Sequence, residues 1–79
     1  MTTSAACSVL EAPLNIALTL VEAQGSPGLL RRLAALGIRR GHRLEVVLAT
    51  AGGGRVVSLG DSRLALGRDL AAALMVQPR

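Results

Sequence analysis

Phenylalanine, tyrosine and tryptophan are all absent from this sequence, and so is lysine. Without aromatic rings the core has to be assembled from leucine, valine, isoleucine and alanine, whose smaller side chains need many well-placed contacts. The same absence removes two common functions of small β-domains. Single-stranded nucleic acid is usually held by stacking bases on aromatic side chains, and polyproline ligands dock in aromatic-lined grooves. Neither platform can be built here, so nucleic acid is disfavoured as a partner, although charge alone leaves a duplex-phosphate or ribosomal contact open. Cysteine is nearly missing as well. The lone Cys7 excludes an intrachain disulfide framework and suits a reducing, cytoplasmic setting. Ser4-Ala5-Ala6-Cys7 has the look of a lipoprotein cleavage site, but the six preceding residues hold no basic residue and no apolar run, so no lipid anchor is expected. The longest apolar stretches, 16–21 and 70–76, fall well short of the about 20 residues that span a bilayer.

What is present points to one small domain. The 79 residues are 51% hydrophobic, enough for a single core and too few for two. Residues 1–9 read as a flexible N-terminal arm and residues 10–79 as the domain. A chain this short keeps a thin stability margin, which makes a homo-oligomer an expected way to gain security. Nine arginines face five acids and one histidine, for a formal net charge of +4. Partners of acidic character are favoured, and guanidinium groups also pair carboxylates bidentately at protein interfaces.

The periodicity divides the chain into short elements. From Leu14 to Val21, apolar residues at Leu14, Ile16, Leu18 and Leu20 alternate with the rest, which predicts a first strand buried on one face. Gly25 breaks it, Ser26 can cap a helix, and Pro27 suits the first helical position. Leu29, Leu30, Leu33 and Leu36 follow on one stripe, with Arg31 and Arg32 turned away. Gly37 ends this helix in the left-handed C′ position, where Ile38 can reach back to Leu33 as in a Schellman cap. His42 to Thr50 alternates again, with Leu44, Val46 and Leu48 expected inward. The glycines 52–54 make a flexible connection, and a strand from Arg55 to Leu59 completes a hairpin. Leu64 and Leu66 mark a fourth strand, Arg68 to Ala73 a short helix, and Leu74 to Gln77 a last strand. The expectation is a mainly β fold: a small, partly open barrel of about five strands, with one short helix after the first strand and a turn of helix before the last. SH3-like and OB-like barrels both satisfy this pattern.

No arrangement of side chains supplies catalysis. The triple glycine lacks the Gly-Lys-Ser/Thr ending and the following helix of a phosphate-binding loop. One histidine, one cysteine and five scattered carboxylates do not provide the three or four ligands of a metal site within one chain. Neither Cys7 nor His42 has a local partner that would activate a nucleophile. No enzyme activity, cofactor, metal or small-molecule substrate is expected. The feature that remains is the basic cluster Arg31, Arg32, Arg39, Arg40 and Arg43 with Leu29, taken as a partner-binding face on the helix and the turn after it.

The run from Leu29 through Leu30-Arg31-Arg32-Leu33-Ala34-Ala35-Leu36-Gly37-Ile38-Arg39-Arg40-Gly41 resembles the signature of the FeoA family: a Leu/Arg-rich helix entering Leu-Gly-Ile-x-x-Gly and then a strand, here Leu44-Glu45-Val46-Val47. Downstream, Arg63-Leu64-Ala65-Leu66-Gly67-Arg68-Asp69-Leu70-Ala71 is similar to the family's Leu-x-Leu strand and short final helix, so the likeness extends from Ser8 to Val76. The resemblance implies an SH3-like barrel in the cytoplasm that assists ferrous iron uptake by binding the cytosolic part of a FeoB-type GTPase transporter, and so lies at the inner face of the membrane through that partner. Pro13-Leu14 replaces the family's frequent Pro-Gly, the second hairpin is reduced to small residues, and Gly67 stands where a basic residue is common. The same barrel occurs at the C-terminus of DtxR-type repressors, an alternative regulatory role. A chain without a helix-turn-helix favours the accessory one.

Overall fold

The structure is a computed structural model that describes residues 6–78. Two short helices and six antiparallel strands form the fold: β1 (Cys7–Ser8), β2 (Leu18–Ala23), α1 (Pro27–Ala35), β3 (Arg43–Ala49), β4 (Arg55–Leu59), β5 (Ser62–Leu66), α2 (Arg68–Ala73) and β6 (Leu74–Pro78). The strands lie in one sheet in the order β1-β6-β2-β3-β4-β5. Bulges interrupt the pairing of β2 with β6 between Leu20 and Glu22, and of β3 with β4 between Val46 and Leu48. An extra residue on one strand increases local twist and bends the sheet, which lets so short a ribbon curl around its own core. The result is a partly open barrel of SH3-like form.

The core is aliphatic throughout: Leu18, Leu20, Leu33, Leu44, Val46, Val57, Leu66, Leu74 and Val76 are buried in one cluster. Among the described residues no charged or polar side chain is buried with it. β6 carries two of the most buried side chains and lies between β1 and β2.

Four expectations are corrected. The first strand begins at Leu18, not Leu14, because Asn15 adopts a left-handed φ of 64° and turns the chain. Its N–H donates to the Val46 carbonyl at 2.8 Å, and Leu14 and Ile16 are left exposed. Residues 7–9, assigned to the arm, belong to the fold. Cys7 and Ser8 pair with Val76 and Met75, and Val9 is buried with its N–H on the Leu74 carbonyl at 2.9 Å. Residues 1–5 of that arm lie outside the described residues. Leu48, expected inward, faces out because the bulge at Val47 shifts the alternation by one residue. The glycine connection forms a tight 3₁₀ turn over Ala51–Gly53, closed by Thr50 N–H on the Gly54 carbonyl at 3.0 Å.

Candidate functional site: two exposed faces

The helix α1 forms as its sequence dictates. The Ser26 hydroxyl accepts the Leu29 N–H at 3.2 Å, and Pro27 occupies a position whose N–H would have no helical partner. At the other end Gly37 takes φ 80°, its N–H bonds the Ala34 carbonyl at 3.0 Å, and Ile38 N–H bonds that of Leu33 at 3.0 Å. These two bonds are a Schellman motif, with Ile38 and Leu33 both buried beneath it. The leucine stripe, however, does not all go inward. Leu33 is the only buried residue of α1 and Leu29 is half-buried, whereas Leu30 and Leu36 keep 38% and 43% of their surface in solvent. One leucine anchors the helix, and its flanks remain available.

Arg31 and Arg32 on α1 and Arg39 and Arg40 in the following turn are all exposed. Among the described residues none of their guanidinium groups is tied by an ion pair or hydrogen bond. The charge is also segregated along the chain. Between Glu22 and Glu45 there are five arginines, His42 and no acid, leaving four arginines against five acids elsewhere. The turn after the helix is fastened at Gly41, whose N–H bonds the Leu20 carbonyl at 2.7 Å. Three of the expected site residues line two separate hollows. Leu29 and Arg32 line a shallow hollow of about 500 Å³ with Ser26, Gly28 and Asp69. Arg43 lines a different one, about 290 Å³, with Ala17, Leu44, Glu45, Ser58 and Gly60. Neither hollow groups catalytic side chains, and among the described residues no three histidine, cysteine or acidic groups could hold a metal together.

A second face was not legible beforehand. Leu14, Ile16 and Leu48, with 42%, 37% and 54% of their surfaces exposed, lie where the chain before β2 meets the outer part of β3. The unexpected residue behind this arrangement is Arg55. Its guanidinium donates to the carbonyls of Gly53 (3.3 Å), Gly54 (2.8 Å) and Leu10 (3.0 Å), fastening the β3–β4 turn to the N-terminal segment. Asparagine in the middle of an alternating apolar run was the available signal for the turn at Asn15, since it favours turns and the left-handed region over strands. Nothing local signals the exposure of Leu48.

A small, curved, six-stranded antiparallel sheet that closes only in part defines a domain of the SH3-like class. Residues 8–78 match the FeoA domain family, and the chain belongs to that family. Solved structures agree on the fold. A manganese-dependent transcriptional repressor superposes with a TM-score of 0.89 at 23% identity, covering 100% of this chain and 45% of the repressor. The crystal structure of an iron uptake regulatory protein, FeoA, gives 0.83 at 23% identity over 95% of this chain and 100% of that one. The solution structure of FeoA from Chlorobium tepidum gives 0.77 at 24% identity, with coverages of 90% and 69%. This chain thus spans less than half of the repressor and the whole of the crystallised FeoA. Comparison with curated protein sequences gave no match.

Proposed function

We propose that this protein is a non-enzymatic cytosolic accessory factor of ferrous iron uptake, which docks on the cytosolic region of a FeoB-type GTPase transporter and biases its conformational or nucleotide state. The observation that carries the reading is the basic face itself: unpaired Arg31, Arg32, Arg39 and Arg40, beside exposed Leu30 and Leu36, in a segment of a FeoA-family chain that contains no acid. Exposed guanidiniums supply oriented donors for carboxylates on a partner, and the leucines supply apolar contact at their edge. To change the transporter's state, the domain must bind two of its states with unequal affinity, so the same interface decides both attachment and effect. Iron is the cargo of the transporter in this reading and is not held by this chain.

The test is a pull-down from nuclease-treated native lysate, followed by affinity measurement on the purified transporter domain. Recovery of the transporter, lost when Arg31, Arg32, Arg39 and Arg40 are changed together to glutamine, supports the reading. Unchanged affinity in that variant overturns the assignment of the face. Recovery of nucleic acid or ribosomal proteins alone, with strong salt dependence, replaces the reading with a basic nucleic-acid-binding barrel. The fold shared with the manganese-dependent repressor favours one further role, a regulatory module that contacts another domain, and recovery of a DNA-binding protein would select it.

A further inference from the structure

We propose that the uncharged face carrying Leu14, Ile16 and Leu48 is a self-association surface, on which a second copy of this chain docks about a two-fold axis. This inference concerns a different face from the basic one and does not rest on the proposed partner. Among the described residues five large hydrophobic side chains are exposed, and three of them belong to these two adjoining segments. Two separate backbone departures expose them. The left-handed turn at Asn15 takes Leu14 and Ile16 out of the strand pattern, and the bulge at Val47 turns Leu48 outward. The Asn15 N–H on the Val46 carbonyl and the Arg55 guanidinium on the Leu10 carbonyl hold the two segments side by side, so the face is preformed. A chain with so small a core gains nothing in its own stability from displaying large aliphatic groups.

The electrostatics select the occupant. Residues 12–21 and 46–54, which supply the face, contain no charged side chain, while the whole chain carries +4. Two copies repel wherever their basic segments approach, and this face avoids that repulsion. Its rim carries both signs: Glu45 and Arg43 line a hollow with Ala17, Arg55 is paired with Ala49, and the Arg68 side chain runs along Gly53 at the hairpin tip. A two-fold operator makes the same patch serve on both copies and allows an acid of one rim to meet the arginine of the other. The accessible surface of the domain is 4821 Å². A standard interface of about 800 Å² per partner would take roughly a sixth of it, so a face built around three side chains gives a weak, reversible dimer.

Sedimentation velocity of the full chain over a concentration series reaching the high micromolar range tests this. The wild type is expected to shift reversibly from monomer to dimer, with little effect of moderate salt. Leu48→Glu should weaken the association by roughly a hundredfold or more, because each dimer would bury two unpaired carboxylates. Ile16→Glu should act in the same direction, and the variant with Arg31, Arg32, Arg39 and Arg40 changed to glutamine should dimerise no less well than the wild type. As Leu48 and Ile16 are exposed in the monomer, both glutamate variants should keep the wild-type circular dichroism and melting temperature in dilute solution. A wild type that stays monomeric at every concentration overturns the proposal, as does a dimer that survives both glutamate substitutions. If the wild type stays monomeric while Leu48→Glu loses binding to another protein, the face belongs to that partner and self-association is refuted.

Discussion

A methyl group added to Gly54 would stand 2.8 Å from the Leu66 carbonyl oxygen and 2.7 Å from the Thr50 hydroxyl, closer than a Cβ is tolerated. The neighbour is backbone of an adjacent strand and cannot rotate aside. Gly54→Ala is therefore expected to cost about 1 to 3 kcal/mol, measured by urea unfolding, as overpacking does in other interiors. Alanine at Gly52, which meets nothing within 4 Å, carries only the cost of its left-handed backbone. The close approach explains the glycine at position 54, which lets the hairpin end pass near β5. Arg55 acts at the same scale. Replacing it with methionine keeps much of the stem but removes three charge-assisted bonds to carbonyls 45 residues apart in the extreme case, Leu10 and Arg55. A loss of roughly 2 kcal/mol is expected, together with faster amide hydrogen exchange in the segment before β2.

Helix α1 separates two roles between neighbouring leucines. Leu33 is buried in the core cluster, whereas Leu36 caps the helix and remains exposed. Leu33→Ala should cost about 2 to 5 kcal/mol, a large part of the about 4 to 12 kcal/mol that a domain of this length possesses. Leu36→Ala should leave the unfolding midpoint nearly unchanged and, on the proposed function, reduce affinity for the transporter domain, which isothermal titration would register. If Leu36→Ala destabilises the fold as strongly as Leu33→Ala, the helix is more deeply packed than this account allows. How α1 begins and ends was readable from Ser26, Pro27 and Gly37, because caps are local hydrogen-bond problems with few solutions. Which of its leucines is buried was not readable, since periodicity defines a stripe and the sheet decides how much of it is covered. This nine-residue helix puts one leucine, Leu33, into the core and leaves the rest of its apolar stripe half-buried or exposed.

At the scale of the molecule, charge and stability are separable. Changing Arg31, Arg32, Arg39 and Arg40 to glutamine lowers the formal net charge from +4 by four units to zero without touching the core. The melting temperature should change little, because exposed and unpaired charges contribute little to folding, while solubility falls near neutrality. Affinity for an acidic partner should fall and lose most of its dependence on salt over the range where the Debye length shrinks from about 10 Å to about 3 Å. Sequence by itself determined the mainly β architecture, the places of α1, β4, β5, α2 and β6, the absence of aromatic binding platforms, and the segregation of charge along the chain, because hydrophobic period, caps, turn residues and charge act over a few neighbours. It also carried the FeoA likeness, which rests on the helix and turn where those local rules are densest. Only the tertiary structure decided that Leu14, Ile16 and Leu48 face outward, that Val9 is core, and that Arg55 is a clamp. Each depends on a partner distant in the chain: Val46 for Asn15, β4 for the bulge at Val47, Leu74 for Val9 and Leu10 for Arg55. A one-residue shift in pairing reverses the exposure of every side chain beyond it, and no periodicity within a single strand records where that shift falls.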